Sequence, residues 1–567
     1  MNRLMKFLPH NELTEALGVF RHEFFAVGLF SMASNLLMLV PTLYMLQIYD
    51  RVLVSHSEFT LIAVSLVALF LFSISAFTDW SRSRVLVGAG VRFDHLLNTR
   101  VFNASFENYL NPAGANPTRA FSDLTGIRQF LTGPGIFAFF DAPWTPFYIG
   151  ALFMLHPMLG ATAIVFLLIQ TALTALGHRL NKAPTRELML AQGADTSFLD
   201  HKLRNVEIVE SMGMLAGMRE RWWARHHEHL ICLASSQQLT QRITALGKFV
   251  RYSQQSLTLA VGALLVIDGQ ISPGAMIAAN VLMTRALAPI DALMGGWRGF
   301  IGAQAAFKNL AHLLSAGSRD TPSPAEKTPP AGRLDLKNIT ASAPDRSTPI
   351  LNGVNLSALP GTVTVILGPS GSGKSTLARV MLGIWPNYSG EVLLDQAPID
   401  HWNRDQLGPY LGYVPQDVEL FSGTVAENMA RFADVDSGKV VAAAKSAELH
   451  DLILRLPKGY DTPVGEAGAS LSAGMKQRLA LARALYGEPA LIVMDEPNAN
   501  LDDVGDQALA KAIRELKSKQ KTLVLITHRP GLIELADVLV VLKHGQVVAN
   551  GPRDQVLAEL RRRSSPA

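Results

Sequence analysis

The sequence predicts two fold classes in one chain, an all-α membrane domain of six helices followed by an α/β domain, on three observations. Of the 567 residues, 49% are hydrophobic and only 17% charged, and the mean hydropathy is positive, unlike a wholly soluble protein. Long uncharged runs fill the first half. A proline-rich break then gives way to short apolar strands alternating with helices. The single cysteine, Cys232, excludes an internal disulfide and a cysteine metal site. The net charge of +4 fits basic cytoplasmic loops facing a lipid bilayer, so no nucleic-acid partner is expected.

The spans follow in order. Phe24 to Tyr49 and Phe59 to Thr78 carry no charge, and at about 1.5 Å per residue each can cross a hydrocarbon core of about 30 Å. Between them "DRVLVSHSE" reads as a short external turn. The uncharged run from Ala142 to Gly177 is too long for one crossing. It divides into "FAFFDAPWTPFYIGALFML" and "LGATAIVFLLIQTALTALG", a hairpin turning at His156 and Pro157. Tyr252 to Ile267 and Pro273 to about Leu293 complete six spans, joined by "DGQIS" with Gly269 in the turn.

Lys and Arg set the orientation. Arg82, Arg84, Arg92, Arg100, Arg119 and Arg128 lie in one long connection, and Arg179, Lys182, Arg186, Arg219, Arg221, Arg225 and others in the second, whereas the short turns carry only Arg51. The long connections are therefore cytoplasmic and read as helical extensions of the spans, interrupted near "NPAGANPTR" and "GMLAG". The residues before the first span show no small-residue cleavage site, so that span is expected to be an uncleaved anchor. Ser315 to Gly332, "SAGSRDTPSPAEKTPPAG", is the expected linker. The domain limits are thus 1–314 for the membrane domain, 315–332 for the linker and 333–567 for the α/β domain.

In that second domain, "VTVILGPSGSGKST" places a strand before the loop Gly368, Pro369, Ser370, Gly371, Ser372, Gly373, Lys374, Ser375 and Thr376. The spacing G-x-x-x-x-G-K-S is that of a P-loop NTPase. Glycines turn backbone N–H groups onto phosphate, Lys374 supplies charge, and the Ser375 hydroxyl can ligate Mg²⁺. ATP and Mg²⁺ are the expected cofactors. "ALIVMDEP" ends a buried strand in adjacent carboxylates, suited to Asp495 reaching the metal through water and Glu496 polarising the attacking water.

"YVPQD", "LSAGMKQR", "NANLDD" and "LITHRP" follow in the order of the ATP-binding cassette (ABC) domain, which this half resembles over its whole length. The resemblance implies that Gln416 contacts the metal, that Ser472 and Gly474 belong to the signature motif, that Asp502 is the D-loop carboxylate, and that His528 acts on the γ-phosphate. A helix starting near Ser472 would aim its positive end at phosphate. One phosphate loop and one signature per chain imply a homodimer with two composite ATP sites. Six spans followed by one cassette resemble the exporter class.

"MLQIYDRVL" and "FFDAPWTPFYIGALFMLHPMLG" resemble the type I protein secretion exporters of the PrtD kind, a resemblance that covers nearly the whole chain. It implies a bacterial inner-membrane ATPase exporting unfolded proteins that carry a C-terminal signal, with a periplasmic adaptor and an outer-membrane channel as partners. The N-terminal peptidase-like domain of other secretion exporters is expected to be missing. Two other readings share the architecture: a lipid or drug flippase, and a non-hydrolysing channel or regulator, against which Lys374, Glu496 and His528 stand.

Ala473 and Met475 depart from the usual glycine and glutamine of the signature, and Ala343 stands where many cassettes stack a tyrosine on adenine. Asp141, Arg285 and Asp291 lie in or near spans, either on a substrate path or as structural pairs. Pro143, Pro146 and Pro289 are expected to bend their helices. His226, His227 and His229 in "RERWWARHHEHL" could suggest a metal, but without an acidic or cysteine partner set they read as an exposed helix face. By family position, "ESMGMLAGMRERWW" and the region of "PTRAFSDLTG" are the turns expected to face the cassettes.

Overall fold

A computed structural model describes residues 12–110, 119–203, 206–316, 329–343, 348–465, 468–499, 501 and 503–564. The chain forms two compact units, one comprising Met1–Asn108 and Gly114–Ser318, the other including Arg319–Ala567. Most of the expected linker, 317–328, lies outside the described residues, as do 111–118 of the first interruption.

The first unit is helical among its described residues. Five helical stretches are long and apolar enough to cross a membrane: Arg21–Ser55, Glu58–Asn108, Pro134–Leu155, Pro157–Thr196 and Pro273–Leu293. The sixth expected span, Tyr252 to Ile267, is the end of the helix Leu215–Ile267. Ser253, Gln254, Gln255, Ser256 and Thr258 dilute its hydropathy, and Gln254 and Thr258 are buried against neighbouring helices. The helices Glu58–Leu110 and Leu215–Ile267 each run 53 residues, roughly 80 Å at 1.5 Å per residue. They continue well past the membrane, as the basic connections predict. Large apolar side chains such as Phe59, Phe70 and Leu168 are exposed along the spans, where lipid is their solvent.

Three local features sharpen the sequence reading. The stretch expected as a turn from Asp50 to Glu58 is largely helical: a π-helical turn covers Ile48–Val52, a short helix covers Leu53–Ser55, and the chain reverses at His56, φ +50°. Asp50 accepts from the backbone N–H of Gly274 at 2.8 Å and from the Ser272 hydroxyl, so it caps the helix Pro273–Ala316. A Cβ at Gly274 would lie 2.5 Å from the Asp50 carboxylate, hence the glycine. The third span is two helices, Pro134–Asp141 and Thr145–Leu155, joined by a 3₁₀ turn at Ala142–Trp144 where Pro143 and Pro146 occupy helix N-termini. The remaining turns fall at His156, which is extended, at Gly213, φ +64°, and at Gly269, φ +66°.

Two carboxylates of this unit that lie in or near spans are ion-paired. Asp141 meets Arg82 at 3.2 Å and accepts from Asn35 at 2.8 Å. Asp291 meets Arg251 at 3.0 Å and accepts from Gln170. Phe93, Leu124 and Leu310 centre one apolar core, and Tyr148, Leu152, Leu282 and Met283 another.

The second unit carries two sheets. One orders β2 (Pro349–Ala358), β1 (Leu334–Ser342), β4 (Tyr388–Leu394) and β5 (Ala397–Pro398), all antiparallel. The other orders β10 (Gln546–Pro552), β9 (Val538–Lys543), β3 (Val363–Leu367), β8 (Thr522–Ile526), β7 (Leu491–Asp495) and β6 (Leu411–Val414). β3 lies parallel between β9 and β8, and β7 parallel between β8 and β6. β7 and β8 are buried at every residue, which is why these strands read as unbroken apolar runs.

Candidate active site

The carboxyl ends of β3, β6, β7 and β8 bring most of the predicted site residues together. After β3 the chain turns through Gly371, φ +78°, and Gly373, φ +98°, into the helix Lys374–Met381. Both backbones sit where a side chain would be strained. At Gly368 a Cβ would collide with the Leu542 carbonyl oxygen, so the loop packs tightly on β9. Lys374 is buried and its ammonium donates to the carbonyls of Gly368 at 2.8 Å and Pro369 at 3.0 Å, spanning its own loop.

β7 delivers Asp495, buried at its end, and Glu496 just beyond, with φ +47° and its N–H bonded to the Ile526 carbonyl at 2.9 Å. Burial pushes the Asp495 carboxyl above the ordinary carboxylate range. A hydrogen bond from Ser375 opposes that shift, Glu496 adds to it, and Lys374 and Arg379 pull it back. The Gln416 side-chain amide donates to Glu496 at 3.3 Å, and His528 Nε2 lies 3.9 Å from the other Glu496 oxygen. Gln416, Glu496, Ser370, Gly371, Gly373, Lys374, Ser375 and Thr376 all line one cleft of about 600 Å³.

Ser472 caps the helix Ala473–Leu485, accepting from the Met475 N–H at 3.3 Å, so the helix begins where the sequence placed it. Ser472 is exposed, and neither it nor Gly474 lines the cleft. Asp502 lies outside the described residues.

Sequence reading missed some contributors. Thr348, Ile350, His544 and Gly545 also line the cleft. His544 and Gly545 form the two-residue turn between β9 and β10, both with positive φ. A "HG" pair between two apolar runs is a hairpin signal that could have placed them. The turn is fastened to the phosphate loop, since the Gly545 N–H donates to the Ser372 carbonyl at 3.2 Å. Gln477 is buried and donates to the Pro497 carbonyl at 2.9 Å, tying the signature helix to the segment after Glu496.

Such a loop and carboxylate pair on a parallel sheet, behind an apolar helical half, define a membrane transport ATPase of the ABC class. Residues 351–499 match the ABC transporter family model and residues 24–289 that of the ABC transporter transmembrane region. The type I secretion system ATP-binding protein PrsD of Rhizobium meliloti is 42% identical over 96% of this chain and 93% of its own. The toxin RTX-I translocation ATP-binding protein of Actinobacillus pleuropneumoniae is 29% identical, over 95% of this chain and 77% of its own. A bacterial Atm1-family ABC exporter solved with ATP bound superposes with a TM-score of 0.82 at 22% identity, covering 97% of this chain and 99% of that one, which shows the shared fold. The chain belongs to the ABC exporters of type I secretion systems. It binds ATP and couples its hydrolysis to transport, with its helices in the bacterial inner membrane and its ATPase domain in the cytoplasm.

Proposed function

We propose that this chain works as a homodimer that exports unfolded polypeptides carrying a C-terminal signal, passing them to a periplasmic adaptor and an outer-membrane channel. The names of its secretion and toxin-translocation relatives support that reading. The membrane domain is residues 1–314, the linker 315–332 and the cassette 333–567. The observation that carries the catalytic reading is the convergence of Gln416 and Glu496 with the phosphate loop in one cleft, beside His528.

In the proposed mechanism the loop from Gly368 to Thr376, through the N–H groups of its residues other than Pro369, and the Lys374 ammonium hold the ATP phosphates. Lys374 leaves the carbonyls of its own loop as it turns to the nucleotide. Glu496 accepts the proton of the attacking water and Gln416 orients that carboxylate. His528 holds the γ-phosphate side of the site. The Ser375 hydroxyl, the Asp495 carboxylate and the Gln416 amide oxygen form a hard oxygen donor set that fits Mg²⁺. When bound, Mg²⁺ neutralises charge on the β- and γ-phosphates. The partner chain's signature motif closes the site from the other side, and Asp502 joins it there.

The test compares the proteins released by cells carrying the wild type and Glu496→Gln at equal membrane levels. Steady ATP turnover should fall by about 10²-fold or more while nucleotide binding persists, and a few large proteins should vanish from the medium and collect inside. Wild-type hydrolysis by the variant would refute the catalytic assignment. Unchanged released proteins from a variant lacking turnover would refute protein export.

A further inference from the structure

Beside His226, His227 and His229 the sequence places Glu220 and Glu228, but the fold brings a different carboxylate to the histidines, from 31 residues away along the chain. The helices Pro157–Leu203 and Leu215–Ile267 pack along one another. On the first, Asp195 lies 38 residues from the membrane entry at Pro157, roughly 57 Å along the helix and well past a hydrocarbon core of about 30 Å. On the second, His226 and His229 share one face at i, i+3. Both direct Nδ1 at the same oxygen, Asp195 Oδ2, at 2.8 and 3.3 Å. His227 turns away and is exposed.

We propose that Asp195, His226 and His229 form a binding site for a divalent first-row transition ion, which clamps the two long cytoplasmic helices together near their shared turn at Gly213.

Three observations carry this. The first is geometric: one carboxylate oxygen and two imidazole nitrogens lie within 4.8 Å of one another. A tetrahedral Zn²⁺ with bonds of about 2.0–2.1 Å sets its ligand atoms roughly 3.3 Å apart, so the donors need only small shifts. The second is spare acceptor capacity: Asp195 Oδ1 is buried without a hydrogen bond of ordinary geometry, with the Trp222 indole N–H close to the carboxylate, so the group can accept more than its two imidazoles. The third is pre-organisation. The Trp222 indole stacks on the His226 ring at 4.7 Å with planes 20° apart, and fixes its orientation.

The donor chemistry chooses the ion. Two imidazoles and one carboxylate, with no thiolate, suit Zn²⁺ and its first-row neighbours, whereas Mg²⁺ and Ca²⁺ prefer all-oxygen sets. The side chains of His226 and His229 remain 27% and 18% exposed, so an ion can enter from solvent and a water can complete its shell. Binding requires each Nδ1 to present its lone pair and each ring to carry its proton on Nε2. The ion would thereby replace two hydrogen bonds by three coordinate bonds across a helix pair.

The test uses the full-length protein in detergent, purified through a tag without histidine and stripped with EDTA. Titration with Zn²⁺ should show one tight site per chain and an upward shift of the melting temperature. Asp195→Asn, His226→Ala and His229→Ala should each weaken that site at least about 10-fold, while His227→Ala leaves it unchanged. Co²⁺ should give a visible d–d absorption that disappears in His226→Ala. Asp195→Asn retains the side-chain shape, so equal melting in EDTA together with lost zinc separates ligation from misfolding. Absence of a stoichiometric site, or a site untouched by all three substitutions, would overturn the proposal.

Discussion

Asp495 and Glu496 are neighbours with opposite circumstances. Asp495 ends β7 in full burial, whereas Glu496 leaves the strand with a left-handed backbone and faces Gln416 and His528. Burial holds the Asp495 carboxyl above its ordinary value of 3.8. The folded protein therefore binds that proton more readily than the unfolded chain does. Stability is lost as pH rises from the unfolded value through the raised one, and at neutral pH the ionised carboxylate opposes folding. Asp495→Asn should raise the melting temperature of the nucleotide-free protein at pH 7 and narrow its gap from wild type toward acid. ATP turnover should fall in the same variant, because the amide cannot serve as an anionic partner to Mg²⁺. Melting curves across pH check the first half, and a variant that melts below wild type at pH 7 would contradict it.

The elements of the membrane unit are held by contacts that span long stretches of chain. Asp50 sits in a π-helical turn at the end of the first span and caps the last spanning helix 224 residues later. Asp50→Ala removes the acceptor for Gly274 N–H and the Ser272 hydroxyl, and should cost about 1–2 kcal/mol. The melting temperature in detergent should fall, and Asp50→Asn should recover part of it. An unchanged melting temperature for Asp50→Ala would show that the cap contributes nothing. The limits of sequence reading have the same physical origin. Spans, basic connections and the phosphate loop were legible because composition and short-range spacing encode them. The "YDRVL" phrase was legible only as a resemblance, since its reason is a hydrogen bond across 224 residues. The Asp195 partner of His226 and His229 was invisible for the same reason, because the facing of two long helices appears in no local period. The break at Ala142–Trp144 was half legible: Pro143 and Pro146 announced a bend, but the 3₁₀ geometry depends on packing.

At the scale of the whole molecule, the chain presents an open nucleotide cleft and, elsewhere on the same cassette, a signature motif whose Ser472 is exposed and does not line it. One chain cannot close its own site if the signature must meet the γ-phosphate, and the proposed symmetric pair would supply both missing halves. Two lesions distinguish this arrangement from a self-sufficient chain. Lys374→Ala removes the phosphate charge. Ser472→Asp keeps a side chain able to cap the helix but sets a negative charge against phosphate. Dimers of either single variant should be inactive. A mixed dimer of one Lys374→Ala chain and one Ser472→Asp chain would contain one site with both lesions and one intact site. It should hydrolyse ATP at up to about half the wild-type rate if the two sites act independently. The converse dimer, a wild-type chain beside a chain carrying both substitutions, would place one lesion in each site and should be inactive. Self-sufficient chains predict the reverse, with the first mixed dimer inactive and the second half active. Tandem-affinity purification of the two mixed dimers, followed by ATPase assay in lipid nanodiscs, reads that difference directly, and greater activity in the second dimer would refute the shared site.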